Sequence, residues 1–115
     1  MPLTTHVLDT ARGRPAADLQ VQLFRLDSSN EGSTLLQEAR TNTDGRTDAP
    51  LLGELERGFY EILFDVGGYF ALEEESPDPP FLGRVPVRFG VADPSSHYHV
   101  PLLVSPWSYS TYRGS

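Results

Sequence analysis

Apolar and polar residues alternate along most of this chain, in short runs broken by turn-forming clusters. The clearest run is His97-Tyr-His-Val-Pro-Leu-Leu-Val104. Side chains on a strand point alternately to opposite faces, so Tyr98, Val100, Leu102 and Val104 form an apolar row predicted to meet the core. His97, His99, Pro101 and Leu103 then point outward. In the same way Leu3, Thr5 and Val7 are predicted inward, and Thr4, His6 and Leu8 outward. Near the end of the chain, Trp107, Tyr109, Thr111 and Arg113 make the bulkier row and are predicted inward, which turns Ser108, Ser110, Tyr112 and Gly114 outward. The outward rows mix histidines with Leu8, Pro101, Leu103 and Tyr112, a surface suited to a partner subunit or a ligand.

The runs Thr4–Asp9, Leu19–Leu26, Gln37–Thr43, Phe59–Val66, Val85–Val91, His97–Val104 and Ser108–Tyr112 are predicted strands, with Arg46–Asp48 a candidate eighth. The turns between them include Arg12-Gly-Arg-Pro15, Asp27–Gly32 and Asp44-Gly45, where Asp-Gly marks a tight reversal. Tyr69–Glu75 is the one helix candidate, followed by a stiff Ser76-Pro-Asp-Pro-Pro80 loop. Short strands at this spacing predict an all-β fold, a two-sheet antiparallel sandwich forming a single domain over residues 1–115.

Composition narrows the function. The chain of 115 residues is 38% hydrophobic, enough for one modest core, and its 10 glycines and 10 prolines favour short elements. A formal charge of −7 disfavours nucleic acid as a partner, and an anionic ligand has to be met by local positive charge. No apolar run is long enough to span a membrane. The first residues carry no basic stretch followed by an apolar one, so no secretory signal is expected in the sequence as it stands. With no cysteine, disulfides, thiolate metal sites and thiol nucleophiles are excluded, which fits the cytoplasm.

The candidate chemistry centres on the histidines. His97 and His99 share a strand face, a spacing that can chelate a metal with His6 as a third ligand. No carboxylate accompanies them, and exposed strand histidines are the plain alternative. His6 and His99 are also candidates for acid–base work, since imidazole titrates near neutral pH, or else are structural. Arg46, after the Asp44-Gly45 turn, is either a solvated turn residue or a guanidinium held against a carbonyl or anion; Arg113 has the same two readings. Ser108, Ser110 and Ser115 lack a nucleophile elbow. Gly13, Gly67 and Gly68 do not form a phosphate loop.

Two segments, Leu3-Thr-Thr-His-Val-Leu-Asp-Thr-Ala-Arg-Gly-Arg-Pro-Ala16 and His97–Ser115, together with Thr43-Asp-Gly-Arg46, resemble the signature regions of the 5-hydroxyisourate hydrolases, the transthyretin-related enzymes of urate breakdown. The closing Tyr112-Arg-Gly-Ser115 is the most specific of these. The resemblance implies a transthyretin-like sandwich with one short helix, assembled as a homotetramer, a dimer of dimers around a channel. It implies His6, Arg46 and His99 as catalytic residues acting without metal or cofactor. Substrate contact is implied for His6, Arg46, Tyr112, Arg113, Gly114 and Ser115. Transthyretin itself, a carrier, has Lys, Glu and Thr in place of His6, Arg46 and His99. A carrier of small aromatic ligands is therefore the alternative function. Trp107 and the loop Pro77–Gly83 depart from the family pattern.

Overall fold

A computed structural model describes residues 1–28, 32–73 and 75–114. In chain order the elements are β1 (Leu3–Asp9), β2 (Arg14–Pro15), β3 (Gln20–Leu26), β4 (Ser33–Arg40), β5 (Gly58–Asp65), α1 (Val66–Glu73), β6 (Arg84–Val91), β7 (Tyr98–Val104) and β8 (Tyr109–Thr111). One sheet runs β2-β1-β7-β8 and the other β4-β3-β5-β6. Every pairing is antiparallel except β1 with β7, which is parallel and places Thr4 opposite His99 and His6 opposite Pro101.

The core rows lie as alternation predicts in the two long strands of the first sheet. Leu3, Thr5 and Val7 are buried on β1, and Tyr98, Val100, Leu102 and Val104 on β7. They meet Val21, Leu23, Ile62, Phe64, Val85 and Val87 from the second sheet. Each such aliphatic side chain stabilises the fold by about 1.5–3 kcal/mol relative to an exposed one. The buried Thr5 hydroxyl donates to the Val100 carbonyl at 2.6 Å, so this polar position costs the core no unpaired group.

Several expectations give way to longer-range effects. Pro101 is buried although its row faces outward. The Thr111 hydroxyl also donates to its carbonyl. The predicted inward row at the chain's end is not inward. Trp107 is 62% exposed and Tyr109 45%, because β8 is a three-residue edge strand and both its faces reach solvent. Trp107 instead packs against the equally exposed Phe81, with ring centroids 5.9 Å apart. β4 begins earlier than its pattern predicts and ends at Arg40; a bulge between Leu23 and Phe24 carries its pairing on to Ser33. Thr41 then turns inward to donate to the Ala16 carbonyl and accept from the Leu19 N–H.

The helix also starts sooner, at Val66. Asp65 caps it, its side chain accepting the Gly68 N–H at 3.1 Å. The helix then delivers Tyr69 to the fully buried Asp9 carboxylate at the end of β1, with the phenol donating at 2.8 Å. Arg12 adds its backbone N–H and its guanidinium to the same carboxylate. This knot ties α1 to β1, the strand that carries His6.

Candidate functional site

The first sheet brings the candidate residues together from three parts of the chain. β1 supplies Thr4 and His6, and β7 supplies His99, with His97 just before it. The parallel register sets Thr4 beside His99 on the outer face. The Thr4 hydroxyl lies 2.8 Å from Nδ1 of His99 and 3.0 Å from Nε2 of His97.

Arg46 arrives through a tight turn. The Asn42 side-chain oxygen accepts the N–H groups of Asp44 and Arg46, and the Asn42 carbonyl accepts that of Gly45. Val7 donates its N–H to the Gly45 carbonyl, and Arg46 forms a bridge with His6. Gly45 has φ +77°, and a Cβ there would stand 2.4 Å from the Val7 carbonyl. The turn can lie against β1 only with glycine at that position. The predicted short strand over 46–48 is thus a single bridge.

The turn also orients His6. Its Nε2 is 2.8 Å from the Asp44 carbonyl. A carbonyl only accepts, so Nε2 carries a proton, and any lone pair that the ring offers is at Nδ1.

Thr4, Arg46, Thr47, Asp48, His97 and His99 line a cavity of about 380 Å³. His99 is half-buried in its wall, and burial holds its pKa below the usual imidazole value, with the charges of Arg46, His6 and His97 adding to the effect. It is therefore neutral at physiological pH and able to accept a proton. Arg46, exposed beside it, offers guanidinium donors to a carbonyl or anion. A comparable cavity of about 450 Å³ beside α1 is lined by Asp65, Glu75, Asp78 and Arg84 and contains no imidazole.

The last residues of the chain take up three different places. Gly114 donates its N–H to the His99 carbonyl at 2.7 Å, and a Cβ on it would fall 2.6 Å from Cδ2 of the His99 ring. It therefore packs against the imidazole as only glycine can. Arg113 turns away from the histidines and sets its guanidinium 4.0 Å over the ring of Tyr98, a cation–π contact. Tyr112 is 58% exposed and lines a separate cavity of about 230 Å³ with Val87, Phe89, Tyr98 and Val100. Ser115 lies outside the described residues. Thr4 and the Asp44 carbonyl were not among the candidates; a threonine in a strand and a backbone oxygen carry no signal in sequence. No group of three or more His, Asp or Glu side chains suited to a metal occurs among the described residues, and the Thr4 hydroxyl already engages one nitrogen each of His97 and His99.

Comparison with known proteins fits this arrangement. The sequence model of the HIUase/Transthyretin family matches residues 3–114. The chain is 58% identical to 5-hydroxyisourate hydrolase of Deinococcus radiodurans, over 98% of this chain and 95% of that one. It is 59% identical to the enzyme of the same name from Ralstonia nicotianae, over 98% and 97%. Among solved structures it is similar to (S)-allantoin synthase, with a TM-score of 0.91 and 48% identity, and spans 43% of that longer chain. It is similar to Klebsiella pneumoniae 5-hydroxyisourate hydrolase, with a TM-score of 0.81 and 34% identity over the whole of both chains. Sea bream transthyretin in complex with thyroxine gives a TM-score of 0.86 at 28% identity, over 99% of this chain and 95% of that one.

Proposed function

Because the chain belongs to the HIUase/Transthyretin family, we propose that it hydrolyses 5-hydroxyisourate to 2-oxo-4-hydroxy-4-carboxy-5-ureidoimidazoline, opening the six-membered ring at its lactam carbonyl. The observation that carries this is the half-buried His99 sharing one cavity with the Arg46 guanidinium. His99 takes a proton from the attacking water, with His6 beside it. Attack at the carbonyl forms a tetrahedral centre with negative charge on oxygen, which Arg46 offsets. The ring C–N bond then breaks, and one of the two histidines returns a proton to the leaving nitrogen. Histidine and arginine suffice for each of these transfers, so the reading calls for no cofactor.

The proposed working form is a cytoplasmic homotetramer, a dimer of dimers. The exposed apolar side chains on and near the sheets, Phe59, Trp107, Tyr109 and Tyr112 among them, support assembly. In that form Tyr112 narrows the channel into a pocket for a small planar ring. Gly114 fixes the face of His99, and Arg113 braces the segment from its seat on Tyr98. Ser115 completes the substrate-binding set carried over from the resemblance.

Stopped-flow absorbance on freshly generated 5-hydroxyisourate tests the reading. Decay must exceed the spontaneous rate; equality overturns the proposal. His99→Asn should lower kcat by roughly tenfold or more, and an unchanged rate would remove His99 from the chemistry. The carrier alternative rests on the likeness to thyroxine-bound sea bream transthyretin. Tight stoichiometric binding of an aromatic ligand without turnover would favour it.

A further inference from the structure

The Thr4 hydroxyl stands between two imidazoles, 2.8 Å from Nδ1 of His99 and 3.0 Å from Nε2 of His97. A hydroxyl has one proton to give. It can donate to one of these rings, and must then accept from the other if both bonds are made. The two histidines are therefore not independent, because the tautomer of one dictates that of the other.

Which way this chain runs decides what His99 can do. Its Nδ1 is taken by Thr4, and Nε2 has no hydrogen-bond partner among the described residues. Only Nε2 is then available to accept a proton from water. It has a lone pair to offer only when the ring proton sits on Nδ1. Nδ1–H then donates to Thr4 Oγ1, Thr4 O–H donates to His97 Nε2, and the neutral His97 ring carries its own proton on Nδ1. The reverse direction puts the proton on Nε2 of His99 and leaves that ring no base facing the cavity.

We propose that Thr4 and His97 are positioning residues that hold His99 in its Nδ1–H tautomer, with the Nε2 lone pair turned to the substrate. This rests on the hydrolase reading and adds two residues to it. The sheet register supports the assignment, since Thr4 and His99 are direct partners in the β1–β7 ladder, and the backbone holds the first bond in place. His97 is half-buried in the wall of the same cavity, which keeps the second link beside the first. His6 is fixed in the opposite sense by a carbonyl that cannot donate. The two rings then offer different nitrogens, Nδ1 from His6 and Nε2 from His99. His97 is thus linked to the site and is not a free-standing exposed strand histidine.

The test combines imidazole 15N NMR with kinetics, using full-length protein at a pH where His99 is neutral. In the wild type, His99 should show a pyrrole-type Nδ1 and a pyridine-type Nε2. Thr4→Val removes the hydroxyl while keeping a β-branched side chain, and should shift His99 toward the Nε2–H form. It should also lower kcat by roughly tenfold with KM little changed. Thr4→Ser should restore both signals and rate, which guards against a mere folding defect. His97→Phe, lacking the acceptor, should move the His99 signals in the same direction as Thr4→Val. A wild-type His99 with its proton on Nε2, or a Thr4→Val protein with unaltered His99 signals and wild-type kcat, would overturn the inference. The nitrogen signals are read without substrate. A wild type that fails to accelerate 5-hydroxyisourate decay therefore sinks the hydrolase reading separately.

Discussion

An imidazole serves as a base only while it is neutral, so the environment of His99 sets the acid limit of the site. Burial and the charges of Arg46, His6 and His97 all disfavour its protonated form. The folded-state pKa is thus below the unfolded one, and the unfolded chain binds the extra proton first. His99 accordingly weakens the fold as pH falls through the ordinary histidine range, and the full penalty is reached below its folded pKa. NMR titration of the wild type should give a His99 midpoint below the ordinary value of about 6.5. Arg46→Gln, which deletes a repelling cation, should move that midpoint up. A midpoint at or above the ordinary value would contradict the picture. Three of the site's side chains stood as candidates in the sequence, two imidazoles on outward strand positions and a guanidinium after an Asp-Gly turn, and the family resemblance chose them over their plain structural readings. Thr4 was not a candidate, since a hydroxyl gains meaning only from the two rings that the β1–β7 register sets beside it.

At the scale of elements, two local constructions hold β1, the strand of His6. One is the 42–46 turn, whose glycine sits at φ +77° with no room for a side chain. Gly45→Ala should cost about 1–3 kcal/mol and loosen Arg46, seen as a lower melting temperature with a raised KM. The other is the Asp9 knot. Burial alone would raise the Asp9 pKa, but the Tyr69 phenol and the backbone and guanidinium of Arg12 outweigh it and hold the carboxyl below its usual range. The same burial and the neighbouring carboxylate push the Tyr69 phenol well up. A carboxyl depressed on folding adds stability above its unfolded pKa and loses it as pH falls through the folded one. Tyr69→Phe leaves a buried acceptor short of a donor and should cost about 1–3 kcal/mol in denaturant unfolding; an unchanged midpoint would show that the phenol contributes nothing. Alternation placed the rows on β1 and β7, whose inner faces the second sheet covers. It misplaced Trp107 and Tyr109, because period two says which residues share a side and not whether anything covers that side. The start of α1 was hidden as well: Gly67-Gly68 look like a break after the strand, and only the Asp65 cap shows that they open a helix.

Across the whole molecule, the two sheets and their core follow from patterning, while the parallel β1–β7 pairing does not. That pairing joins residues far apart in sequence, and nothing in either strand alone states its direction. The charge distribution is equally non-local. The chain carries −7 in total, yet Arg46 brings a guanidinium to the wall of the histidine cavity, where Asp48 is the one carboxylate in the lining, and a carbonyl-rich ring can meet its donors. Light scattering should report a mass four times that of the chain, and a monomer at micromolar concentration would refute the tetramer.

The parallel pairing also has a consequence for how the protein comes into being. Thr4 and His99 lie 95 positions apart, and before β7 exists β1 has only the short β2 beside it in its sheet, with the 42–46 turn and the Asp9 knot as its other ties. Synthesis proceeds from the amino end and elements form as they become available, so β3, β4, β5 and β6 can assemble on the ribosome while β1 waits without its main partner. Closing so long a loop is slow compared with making hairpins. The second sheet is thus the scaffold laid down early, and the functional face is the last part of the molecule to be completed.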